Sequence, residues 1–169
     1  MAATVEVDEQ NGKSGSPTLT HNIGNSNMGS GDASNLDPTS NPIAPGENSY
    51  EKWQLIHVTD MGTSSKISNL QVWRTGALGA NAIHLTNART ENYGGAASYS
   101  TPSATISGVA TQHMPTSSPG SANLGIGGSL TGTLTSPGYS DFLVHQIQTA
   151  TSALSGSTTT INYQYDEEV

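Results

Sequence analysis

From Tyr50 onward, apolar residues recur every second position, the spacing of a strand with one face turned inward. Tyr50 to Thr59 carries Trp53 and Leu55 on one face and Ile56 and Val58 on the other, which predicts a strand covered on both sides or carrying a bulge. Ser68 to Arg74 sets Leu70 and Val72 opposite Gln71 and Trp73, and Ile83 with Leu85 marks a third strand. Ile106 and Val109 predict a weaker one, and Leu130 and Leu134 another flanked by glycine. Asp141 to Thr149 alternates Leu143, His145 and Ile147 with Phe142, Val144 and Gln146. Thr159 to Tyr165 is the cleanest, with Ile161, Tyr163 and Tyr165 on its inward face. No segment sustains a 3.6-residue apolar stripe, so the pattern predicts an all-β sandwich or jelly roll with Trp53, Trp73, Phe142, Ile161 and Tyr163 as core anchors.

The pattern stops short of the N-terminus. All nine aromatic residues lie between Tyr50 and Tyr165, whereas the first 49 residues are dominated by Gly, Ser, Asn, Pro and Asp. The chain therefore divides into an extended acidic arm, residues 1–48, and a β-sandwich domain, residues 49–169. Thr4–Asp8 and Pro17–Thr20 read as short strands within the arm, and Val5, Val7, Leu19, Ile23, Leu36 and Ile43 are its apolar anchors, too far apart for a private core. Such an arm is expected to order on a partner by strand addition, and deleting residues 1–40 is expected to leave the domain folded. Inside the domain, residues 112–138 hold Pro115, Pro119 and Pro137 among many glycines, too long for a structureless connection, and read as an outward excursion or a mobile loop.

Composition narrows the function. Five Lys and Arg against thirteen Asp and Glu give a net charge of −8, so no basic face offers itself to a phosphate backbone and nucleic acid is not an expected partner. Cysteine is absent, which removes disulfides, thiolate metal sites and thiol nucleophiles. The start MAATVEVDEQ lacks the basic end and apolar stretch of a signal peptide, and no apolar run is long enough for a membrane span, so neither secretion nor a membrane partner is expected.

Chemical motifs fail on context. Gly12-Lys13-Ser14 lacks the first glycine of a phosphate-binding loop, Gly125-Ile-Gly127-Gly128 lacks the third of a dinucleotide fingerprint, and no Gly-x-Ser-x-Gly elbow occurs. His57, His84 and His145 each stand alone in a predicted strand and read as half-buried strand histidines, while His21 and His113 fall in loops. The domain's acids, Glu51, Asp60, Glu91 and Asp141, have too few aromatic neighbours for a sugar-cleaving pair. No catalytic residue, cofactor or metal site is expected, and the chain reads as a non-enzyme. An exposed aromatic sugar platform is the alternative use for Trp53 and Trp73, with Tyr93, Tyr99 and Tyr139 as further loop candidates.

Four stretches, Asn48-Ser-Tyr-Glu-Lys-Trp53, Lys66-Ile-Ser-Asn-Leu-Gln-Val-Trp73, Tyr139-Ser-Asp-Phe142 and Asn162-Tyr-Gln-Tyr-Asp-Glu167, together resemble small virion structural proteins of tailed bacteriophages. The resemblance spans the domain and not the arm. It implies a capsid cement or decoration protein, made in the host cytoplasm and carried on the capsid exterior, with the major capsid protein as partner. A tail, connector or fibre-associated β-sandwich, with carbohydrate binding as one use of it, is the alternative. Scarce apolar residues and open strand edges add the expectation of a homo-oligomer, dimer or trimer.

Overall fold

The structure is a computed structural model, and it describes residues 1–91, 94–154 and 156–169. It is all-β, with antiparallel pairing throughout and no helix among the described residues. The strands are β1 (Thr4–Asn11), β2 (Thr18–Thr20), β3 (Lys52–Asp60), β4 (Lys66–Thr75), β5 (Ala82–Thr86), β6 (Gln112–His113), β7 (Gly138–Tyr139), β8 (Leu143–Thr149) and β9 (Thr160–Glu168). The larger sheet runs β2-β1-β3-β8-β5-β6, with β7 also pairing β3, and the smaller sheet is the β4–β9 ladder.

The two-sided pattern of β3 has its cause here. Ile56 and Val58 join Ile67, Leu70, Val72 and Leu143 in the main core, against which Ile161, Tyr163 and Tyr165 of β9 pack. Trp53 points the other way, where Val144 and Ala110 bury it with Tyr99 and Phe142 alongside, both rings edge-on to the indole. In β4 the register shifts between Ser68 and Gln71, and Asn69 sits there at φ 53°, a left-handed conformation that asparagine tolerates. The extra residue lets Ile67, Leu70 and Val72 all point inward although their spacing is three and then two.

Two expectations about how the chain is organised are corrected. The first concerns residues 1–48, which are not an appendage: β1 is an interior strand of the larger sheet, paired with β3 from Thr4↔Asp60 to Gln10↔Trp53. Asp8, Glu9, Asn11 and Leu36 are buried, and Val5, Val7, Leu19, Ile23 and Ile43 are half-buried within the same molecule. The inner face of β1 passes from Val5, packed on the core, to Glu9, which pairs with Lys52 and Gln54 of β3, so the segment is ordered without aromatics by polar pairing that composition alone conceals.

The second concerns residues 112–138, which turn inward. Met114, Leu124 and Ile126 are core residues, and the segment runs along the free edge of β4. There the Pro115 carbonyl accepts from the Arg74 N–H at 2.9 Å, and Leu134 exchanges two 2.9 Å bonds with Ile67. Between them the Asn123 amide accepts from the Val72 N–H at 2.7 Å and donates to the Val72 carbonyl at 2.8 Å, doing with one side chain what a neighbouring strand does with its backbone. Gly94 lets this segment approach, since a Cβ there would collide with the Asn123 carbonyl. The strands expected at Ile106–Val109 and Leu130–Leu134 are irregular backbone, apart from the single bridge at Leu134.

Candidate functional site

The inner face of the larger sheet changes character along its length. Beyond Ile56 the inward positions become Gln54 and Lys52, Glu9 lies opposite Gln54, and His145 lies opposite Lys52. All four are almost wholly buried. The Lys52 Nζ donates to Glu9 Oε1 at 2.8 Å and to the Ala33 carbonyl at 2.6 Å. Gln54 Nε2 donates to Glu9 Oε2 at 3.0 Å, and its Oε1 accepts from the Tyr163 hydroxyl at 3.1 Å.

This wiring assigns protons. A carboxylate only accepts, so Glu9 turns the Gln54 amide nitrogen toward itself and the Gln54 oxygen toward His145 Nε2, 3.1 Å away. His145 Nε2 then carries hydrogen, its Nδ1 accepts, and His84 Nε2 donates to it at 2.9 Å. The remaining atom, His84 Nδ1, is a buried lone pair without a partner among the described residues. Burial, then the Arg74 charge, pushes the His84 pKa down to about 4. Burial, with His84 and Lys52 adding, holds His145 well below the usual imidazole range. Both rings border a cavity of about 800 Å³ between the sheets, walled by Met28 and Ile43 from the N-terminal segment and by Ile147, Ile161 and Tyr163.

A second cluster lies on the opposite face. Glu6 and Asp8, two apart on β1, point the same way, and His57 of β3 is directly across from Glu6. His21 arrives from the turn after β2, anchored by the Asn22 N–H on Asp8 Oδ1 at 3.0 Å and by the Ile23 N–H on the Val7 carbonyl. His21 Nδ1 is 2.7 Å and His57 Nδ1 3.0 Å from Asp8 Oδ2, while Glu6 Oε1 is 3.7 Å from His21 Nδ1 and 3.0 Å from His57 Nδ1. Tyr139 stacks on the His57 ring at 4.1 Å and 18°.

Sequence reasoning missed this cluster. Its acids lie in the segment that reads as a partner-binding arm, and its histidines are 36 positions apart, a separation that no local spacing rule covers. The available signal was Glu6 and Asp8 at strand spacing on a segment otherwise poor in apolar residues.

Of the expected anchors, Trp53 is 1% exposed, Phe142 packs beside it, and Ile161 and Tyr163 pack against the main core. Trp73 differs. It stands opposite Asn162 on the outward face of the β4–β9 ladder, half-buried and outside both core clusters. Tyr99 is half-buried, with its hydroxyl on the Gly12 carbonyl, Tyr139 is exposed at the edge of the His57 ring, and Tyr93 lies outside the described residues. No family model matches the chain, and neither the curated proteins nor the solved structures contain a match.

Proposed function

We propose that the chain is a non-enzymatic structural protein of a bacteriophage virion, a capsid cement or decoration protein that binds the lattice of the major capsid protein and stabilises the head. The sequence resemblance motivates the reading, and the edge of β9 supports it. Strand β4 has its outer edge capped by residues 115–134, but β9, nine residues long and at the end of the chain, has β4 as its one strand neighbour among the described residues. An open edge of that length accepts a strand from a neighbour, through backbone groups, without needing the apolar surface this sequence lacks. The same edge accommodates a second copy, which is how a dimer or trimer would assemble.

Copy number in purified virions tests the reading. Hundreds of copies that leave with the shell are expected; a few dozen or fewer place the chain at a connector or tail, and absence from the particle overturns the virion role.

Trp73 favours one second reading, a carbohydrate-binding sandwich of a tail or fibre. Its partly exposed indole shares an outward face with Asn162, Gln164, Thr75 and Thr160, a combination of stacking surface and amide donors suited to a sugar ring. Retention on an immobilised glycan that is lost in Trp73→Ala, with folding intact, would establish that reading over the first.

A further inference from the structure

We propose that Glu6, Asp8, His21 and His57 form a binding site for a divalent transition-metal ion, best matched by zinc, which pins the N-terminal segment to the sheet. The donor set is two imidazole nitrogens and two carboxylate oxygens, the ligand chemistry of zinc and unlike the all-oxygen shells of calcium or magnesium. The four donor atoms lie within 4.8 Å of one another. The four nitrogen–oxygen separations run from 2.7 to 3.7 Å. They bracket the ligand–ligand edge of a tetrahedron with metal bonds of about 2.0 Å, which is about 3.3 Å. The two remaining edges, imidazole to imidazole and carboxylate to carboxylate, are within 4.8 Å, so an ion at the centre draws those pairs together by up to about 1.5 Å, within reach of side-chain rotation.

Charge argues the same way. Asp8 is fully buried, and its ion-pair partners are the two imidazoles, with no Lys or Arg among the described residues reaching it. A buried carboxylate without a fixed cation is costly, and a divalent ion offsets Asp8 and Glu6 together. Outer-shell contacts already orient the ligands: the Asn22 N–H holds Asp8 Oδ1 and leaves Oδ2 facing the histidines, and Tyr139 fixes the plane of His57. Access is open, because the His21 side chain is 57% exposed while Asp8 and His57 form the floor. Four protein ligands describe a closed, structural site. It joins β1, β3 and the turn after β2, a region in which, of the β1 and β2 residues, Val5 packs against the main core.

The test uses the full chain, stripped with a chelator and titrated with zinc chloride against a chromophoric competitor. Saturation at one equivalent and a higher melting temperature are expected, and cobalt in place of zinc should give the intense visible bands of tetrahedral coordination. His21→Ala and Glu6→Gln, both solvent-reaching and tolerable to the fold, should each weaken zinc binding by more than about tenfold, whereas His113→Ala should leave it unchanged. Absence of saturable zinc binding, or binding indifferent to His21→Ala and Glu6→Gln, overturns the site and leaves the cluster as two imidazoles hydrogen-bonded to Asp8. A capsid role could fail or hold without changing either outcome.

Discussion

Trp53 and Trp73 are the same side chain put to opposite uses, and the strand pattern alone could not separate them. Trp53 is enclosed by Val144, Ala110, Tyr99 and Phe142, and its indole N–H donates to Glu51 at 3.1 Å. Trp53→Ala should cost on the order of 3 to 5 kcal/mol, read as a lower urea midpoint or as failure to fold. Trp73→Ala should cost less, about 1 to 3 kcal/mol in the same unfolding experiment, because Trp73 lies outside both core clusters and keeps part of its surface in water. The paired histidines predict a pH dependence. His84 titrates near 4 when folded, His145 is lowered in the same direction, and both return to the ordinary imidazole value near 6.5 on unfolding. Between those values the unfolded chain binds more protons, so stability is fully present above about pH 6.5 and falls as the pH drops toward 4, with each ring contributing at most about 1.4 kcal/mol per pH unit. Urea midpoints measured from pH 7.5 to 5 should show that slope, and His84→Gln should flatten it. None of this was legible locally, since His84 and His145 are 61 residues apart and meet only because β5 and β8 are neighbours.

At the scale of elements, β3, β4, β5, β8 and β9 were legible as strands because their apolar residues follow a two-residue period, on one face or, in β3 and β8, on both, and that period needs no knowledge of the partner. The place of β1 was not. Thr4–Asp8 reads as a short strand, but its inward Glu9 becomes comprehensible only beside Lys52 and Gln54, which tertiary pairing supplies. Deleting residues 1–40 should therefore abolish cooperative folding, monitored by thermal melting in circular dichroism, since it strips β3 of its neighbour and leaves the Lys52 ammonium buried without its counter-charge. This reverses the expectation drawn from composition. Residues 112–138 show the same limit: proline and glycine mark them as irregular, yet Leu124 and Ile126 sit in the core and Asn123 closes the edge of β4. Leu124→Ala should cost about 2 to 5 kcal/mol in urea unfolding, the loss of a core leucine and not of a loop residue.

For the whole molecule, a sheet open to further strands, an acidic surface and a scarcity of apolar residues are consistent with a protein that functions in an assembly, where neighbours supply burial and binding stabilises the folded state. The proposed capsid role predicts from that linkage a particle-bound form more resistant to heat than the free chain, and equal melting temperatures on and off the particle would count against it. By itself the sequence determined the fold class and the faces of the main strands, because hydrophobic periodicity is a local property that each segment expresses alone. Only the tertiary structure decided that the N-terminal segment is an interior strand, that Trp73 faces outward, and that Glu6 and Asp8 meet His21 and His57. The first and third share a physical reason: burial of polar groups depends on the partner that satisfies them, and that partner comes from another strand, brought near by chain topology and by nothing in the neighbouring sequence.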